Sequence, residues 1–147
     1  MILTEKIRKF LIVGTSAAIL HLGMMFLFVE VLGFSSYFLK NVANIVSGEI
    51  ALVYAFTLNR NWTWKSIPRR EGRELLWQFI LYHVANGIGI LIKIAVFALL
   101  QLTGLHFSIC TLVGIGMAAI FDFLFYDKLI FNKKLPMEEK RQVGFGL

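Results

Sequence analysis

The sequence predicts an all-α integral membrane protein: four transmembrane helices forming two hairpins that repeat in parallel, with both termini cytoplasmic. Three observations carry that expectation. Hydrophobic side chains make up 58% of the 147 residues against 16% charged, and the mean hydropathy is +0.73, more apolar surface than a small water-soluble core can hide. Four apolar runs are each long enough to cross about 30 Å of hydrocarbon, which takes ~20 residues as helix. The basic residues behind the net charge of +6 gather on one side of those runs.

Taken in order, the first run covers 10–32. It is too long for the apolar core of a signal peptide and ends in Glu30-Val31-Leu32-Gly33 instead of a small-residue cleavage site, so it is read as part of the mature fold. The second covers 38–58. The third, 75–102, is long enough to tilt or to begin as an interfacial turn, and the fourth covers 107–131. None alternates with period two, and each is about twice the length of a barrel strand. A single cysteine and two prolines fit neither a disulfide scaffold nor a proline-rich disordered segment, and Cys110 reads as a small apolar packing residue.

Orientation follows from the charges. Lys6, Arg8 and Lys9 precede the first run; Arg60, Lys65, Arg69, Arg70 and Arg73 lie in or beside the connection 59–74; Lys128, Lys133, Lys134, Lys140 and Arg141 lie at the end of the fourth run or in the tail 132–147. Of the 15 basic residues only Lys40 falls on the opposite side, and Lys93 falls inside the third run. The positive-inside rule then makes both termini cytoplasmic, and the whole chain 1–147 one membrane domain. Trp62, Trp64 and Trp77 stand at the same boundary, where amphipathic rings prefer to sit. Because the cations flank membrane spans, their partners are anionic lipid headgroups and not nucleic acid.

The chain also repeats itself. With a shift of about 69 residues, Lys9-Phe10-Leu11-Ile12 falls over Gln78-Phe79-Ile80-Leu81 and Phe28 over Phe97. Leu32-Gly33-Phe34 then meets Thr103-Gly104-Leu105, and the stretch from Leu58 to Lys65 meets the one from Phe125 to Asn132. The first and third spans run in the same direction, which relates the halves by an axis along the membrane normal.

An ionisable side chain in mid-bilayer costs at least ~2.5–3.5 kcal/mol on insertion scales, so each one here needs a reason. His21 and Glu49 fall near the middles of their spans, His83 and Asp122 in the inner half, and Lys93 in the outer half. By depth, Glu49 can meet Lys93, and His83 can meet Asp122. His83, Asn86 and Lys93 form one polar stripe at helical spacing, and Glu49, Phe56 and Arg60 share a face. Ala43, Ser47, Ala51 and Ala55 recur every four residues on the opposite face, a ladder that lets another helix approach closely. Two readings stay open for these polar groups: ties that hold the bundle together, or the lining of a cavity.

No catalytic constellation stands out: there is no nucleophile elbow, no glycine-rich phosphate loop and no metal-ligand spacing. Gly87-Ile88-Gly89 and Gly114-Ile115-Gly116 read as helix-packing sites. The expectation is therefore a non-enzyme with no catalytic residue, no metal and no cofactor.

The stretch Lys9-Phe10-Leu11-Ile12-Val13-Gly14-Thr15-Ser16, with His21 seven residues after the glycine, resembles the opening of GtrA-like membrane proteins. Phe56-Thr57-Leu58-Asn59-Arg60-Asn61-Trp62-Thr63-Trp64 is similar to that family's signature at the end of the second span, Phe-x-x-Asn-x-x-Trp-Thr followed by an aromatic. Glu49, seven residues earlier, resembles the version of the domain attached to some polyprenyl-phosphate glycosyltransferases, and Tyr126-Asp127-Lys128-Leu129-Ile130-Phe131 resembles the ending of the fourth span.

The resemblance implies a four-helix inner-membrane protein that flips a polyprenyl-phosphate-linked sugar for cell-surface polysaccharide or glycolipid assembly, beside a polyprenyl-phosphate glycosyltransferase. For such a substrate, Arg60, with Lys128 or Arg8, is expected to engage the phosphate, since guanidinium matches phosphate oxygens in a bidentate manner. Asn59 and Trp62 orient the headgroup or the helix end. His21, Glu49, His83, Asn86 and Asp122 supply polar partners for the sugar, with Lys93 a second phosphate station. Two other functions fit the chain: a membrane scaffold that recruits the glycosyltransferase, and a small proton-coupled multidrug exporter. The exporter usually carries its acid in the first span, where this chain has His21. Four helices make a thin wall around a headgroup, so assembly as a homo-oligomer or with a partner is expected.

Overall fold

The computed structural model describes residues 3–131, which contain helices and no strand. The tail 132–147, with Lys133, Lys134, Lys140 and Arg141, lies outside the described residues. Helix α1 runs Leu3–Phe26, α2 Tyr37–Leu58, α3 Gly72–Gln101 and α4 Phe107–Phe125. All but α3 continue into a single π-helical turn, Leu27–Val31, Asn59–Thr63 and Tyr126–Ile130, in which the hydrogen bonds reach one residue further than in an α-helix. Four segments of 22 to 30 residues are thereby long and apolar enough to cross a membrane. Ile19, Leu22, Leu91 and Leu112 stand at least 65% exposed along them, a surface suited to acyl chains. The chain is a multi-pass membrane protein.

The helices begin earlier than hydropathy alone marks. α1 starts at Leu3 because Glu5 and Lys9, one turn apart, pair along its surface. α3 starts at Gly72, where Glu74 donates its N–H to the Glu71 carbonyl at 3.2 Å and pairs with Arg70 at 3.8 Å. A charge ends an apolar run, but it does not end a helix.

The chain forms two compact units, Met1–Ser66 and Ile67–Leu147. The first is the α1–α2 hairpin. Ala43, Ser47, Ala51 and Ala55 of α2 are all buried, as their spacing predicts, and small side chains there bring α1 close. Tyr54 donates its hydroxyl to Ser16 Oγ at 3.3 Å across the seam. The reversal uses Gly33 at φ +73°, a conformation that L side chains rarely adopt. Phe34 donates back to the Phe28 carbonyl at 3.1 Å, with the two rings 5.4 Å apart. Ser36 then caps α2 by accepting from the Leu39 N–H at 3.2 Å.

The second unit holds the α3–α4 hairpin. Gln78, Tyr82, Ala85 and Gly89 are the buried residues of α3, and their spacing of four, three and four puts them on one face. Gln78 donates its amide to the Ile130 carbonyl at 2.9 Å, and Tyr82 stacks on Tyr126 at 4.4 Å. Further along, Gly89 lies against Asp122 and Gly114 against the Lys93 backbone. Each predicted glycine pair therefore contributes one close contact, while a Cβ at Gly87 or Gly116 would meet nothing within 4 Å.

Backbone geometry supports the repeat. Gly104 turns the second hairpin at φ +77°, as Gly33 turns the first. Both hairpins close on a π turn, Asn59–Thr63 and Tyr126–Ile130, and the residue that follows adopts nearly the same backbone, φ −111° and ψ 31° at Trp64 and φ −106° and ψ 38° at Phe131. Each donates its N–H back over five residues, to Asn59 at 2.8 Å and Tyr126 at 2.7 Å. Buried Ala43 and Ser47 of α2 correspond to buried Cys110 and Gly114 of α4.

The Gln78 contact is testable. Gln78→Leu leaves the buried Ile130 carbonyl without its donor, and should lower the stability of the detergent-solubilised protein by ~1–3 kcal/mol. Thermal unfolding with an unchanged midpoint would show that the contact is not holding the π turn.

Candidate functional site

Polar groups collect at the charged end of the first hairpin. There the π turn Asn59–Thr63 is locked from within: Asn59 is 1% exposed, its Oδ1 accepts from Thr63 Oγ1 at 3.0 Å, and its N–H reaches the Ala55 and Phe56 carbonyls. Fixing Asn59 fixes its neighbours in the turn, Arg60, which is half-buried, and Trp62, which is exposed. From α1, Lys9 is buried, pairs with Glu5 and sets its Nζ 5.8 Å from the centre of the Trp62 ring, a cation–π contact. Arg8, beside it in sequence, is exposed. Trp64 is 1% exposed and meets Phe10 edge-on at 6.3 Å, because the wide turn rolls it into the hairpin. The helical spacing of Glu5 and Lys9 was readable in sequence; the meeting of Lys9 with Trp62 was not.

Midway along the same hairpin, His21 Nε2 donates to Asn44 Oδ1 at 3.1 Å. Asn44, which periodicity did not single out, thus gives this histidine a neutral partner. Glu49 stands on an exposed face of α2, away from the small-residue seam.

In the second hairpin, His83 is half-buried, donates Nδ1 to the Phe79 carbonyl at 3.2 Å and meets the Phe79 ring edge-on at 4.4 Å. Asn86 is half-buried, and the Lys93 and Lys128 side chains are exposed. Asp122 occupies the α3–α4 seam, where its carboxylate rests on Gly89 and its Oδ1 is buried without a hydrogen-bond partner among the described residues. That placement is possible only because position 89 has no side chain. Of the expected site residues, Arg8, His21, Glu49, Asn59, Arg60 and Trp62 therefore belong to the first unit, and His83, Asn86, Lys93, Asp122 and Lys128 to the second.

Chemically, the end of the first hairpin sets a guanidinium, an ammonium and an indole around one rigid turn, groups that match a phosphate and the amphipathic region around it. Among the described residues no group of three His, Cys, Asp or Glu side chains is placed to hold a metal ion.

Comparison with known proteins agrees with this architecture. The family described as "GtrA/DPMS, transmembrane domain" matches residues 9–131. A dolichol-phosphate mannosyltransferase of Pyrococcus furiosus is 32% identical over 114 residues, which are 78% of this chain and 30% of that protein. The chain thus spans under a third of that relative's length. With α2, α3, α4, all three π-helical ends and most of α1 inside the matched region, this four-helix membrane protein belongs to the GtrA/DPMS transmembrane domain family.

Proposed function

We propose that the chain moves a polyprenyl-phosphate-linked monosaccharide across the inner, cytoplasmic membrane for cell-surface polysaccharide or glycolipid glycosylation, and does not itself transfer the sugar. The observation that carries this reading is the locked turn Asn59–Thr63, which presents Arg60 and Trp62 at the charged end of a membrane hairpin. Arg60, with Lys128 or Arg8, receives the phosphate, while the polyprenyl tail stays among acyl chains. His21, Glu49, His83, Asn86 and Asp122 offer hydrogen bonds to the sugar along the spans, and Lys93 is the later phosphate station. The positive-inside distribution supports cytoplasmic termini and so loading from the cytoplasmic leaflet. The protein works as a homo-oligomer, which thickens the wall around the headgroup.

The relative's name, a dolichol-phosphate mannosyltransferase, favours a second reading, in which the chain recruits a polyprenyl-phosphate glycosyltransferase to the membrane without moving lipid. Reconstitution separates the two. Purified chain in vesicles should expose a lipid-linked sugar, loaded in the inner leaflet, to a membrane-impermeant oxidant faster than protein-free vesicles do. Equal rates would leave only the scaffold.

A further inference from the structure

The repeat isolates a charge that the architecture does not require. Lys9 of α1 and Gln78 of α3 occupy matching positions, and both are buried. In the second hairpin a neutral amide serves there, donating to the end of the π turn at Ile130. The first hairpin has an ammonium instead. The π turn beside it carries Arg60 where the second hairpin carries Asp127, and Trp62 where the second carries Leu129. Glu5 also has a counterpart, Glu74, which is occupied with Arg70 at 3.8 Å. At these matched positions the first hairpin thus sets a lysine, an arginine and a tryptophan where its duplicate has a glutamine, an aspartate and a leucine.

The pairing of Lys9 is lopsided. Its side chain is 8% exposed, whereas that of Glu5 is 41% exposed. A largely buried ammonium needs an anion beside it, but a carboxylate standing at the surface is held weakly. A polyprenyl monophosphate, the carrier without its sugar, is a phosphate monoester and brings more negative charge and three strong acceptor oxygens to the same place, whereas the sugar-linked form is a diester with a single charge.

We propose that Lys9 is the centre of an anion site for the phosphate head of a polyprenyl lipid, and that Glu5 occupies this site in the resting protein until the phosphate displaces it. The proposal rests on the lipid-carrier reading above for the identity of its ligand. Trp62 flanks the site, its indole lying over the ammonium, and Arg60 belongs to the same turn. Glu5 acts as a competitor built into the chain: it keeps Lys9 paired when no substrate is present, and it raises the selectivity required of any anion that binds.

Equilibrium binding of radiolabelled polyprenyl monophosphate to the full chain in phosphatidylcholine nanodiscs tests this. Lys9→Gln, the residue found at the matching position, should weaken binding roughly tenfold or more. Glu5→Gln should tighten it several-fold, a gain that a purely structural ion pair does not produce. Unchanged affinity in folded Lys9→Gln, or no tightening in Glu5→Gln, overturns the proposal, and the second variant decides if the first does not fold. Phosphatidylglycerol competing at equal mole fraction would reduce the site to general surface charge. Inorganic phosphate competing at the lipid's own concentration would reassign it to a free anion. Because binding is read without transport, Lys9-dependent binding with no flipping leaves the site standing and removes the translocase reading; undiminished flipping and binding in Lys9→Gln does the reverse.

Discussion

Gly114→Val is expected to pry α3 from α4 and to lower the stability of the second hairpin by ~1–3 kcal/mol, or to prevent its packing outright. A Cβ at position 114 would fall 2.9 Å from the carbonyl oxygen of Lys93, and a backbone atom inside a helix has nowhere to go. Gly116→Val, two residues on, is the control: its Cβ meets nothing within 4 Å, and its effect should be far smaller. Thermal unfolding of both variants in the same detergent reads the difference, and equal midpoints would mean that the seam is not tightly packed. Gly89 extends the test. A Cβ there would meet Asp122 Oδ1 at 2.7 Å, but this neighbour is a side chain and is removable. Gly89→Leu alone should destabilise, and Gly89→Leu with Asp122→Ala should recover much of the loss, because the first hairpin uses Leu20 and Ala55 at the matching positions.

Arg60→Ala is expected to cut the initial rate of lipid-linked sugar movement in vesicles at least tenfold, with Arg60→Lys in between. A charge-assisted hydrogen bond contributes ~1.5–3 kcal/mol, roughly one to two decades in affinity, and lysine keeps the charge but loses the planar fork. The comparison uses variants that unfold at the wild-type temperature. Wild-type rates in folded Arg60→Ala would remove the guanidinium from the path and leave its place in the turn as topology-setting charge.

Much of this arrangement was legible before any coordinates. Four apolar runs gave four helices because a membrane span needs a fixed length of apolar chain, and the four-residue recurrence of Ala43, Ser47, Ala51 and Ala55 marked the seam because α-helical geometry puts those positions in line. The aligned Gly33 and Gly104 pointed to two equivalent reversals. What stayed hidden depends on contacts between helices. Hydropathy treats Lys9 as the edge of a span, whereas it is buried against Trp62, far along the chain. His21 draws the eye as a lone ionisable group, but its partner Asn44 carries no periodic signal. The wide turn at Asn59–Thr63 was visible as a motif, not as a change of helical pitch, and that change is what buries Trp64 and leaves Trp62 outside.

The hairpin organisation has a consequence for how the protein is made. Each unit's seam, close contacts and locked π turn join residues within one short stretch of chain, so loop closure is inexpensive and assembly is local. The Phe10–Trp64 and Ser16–Tyr54 contacts of the first hairpin can therefore form without any residue of α3.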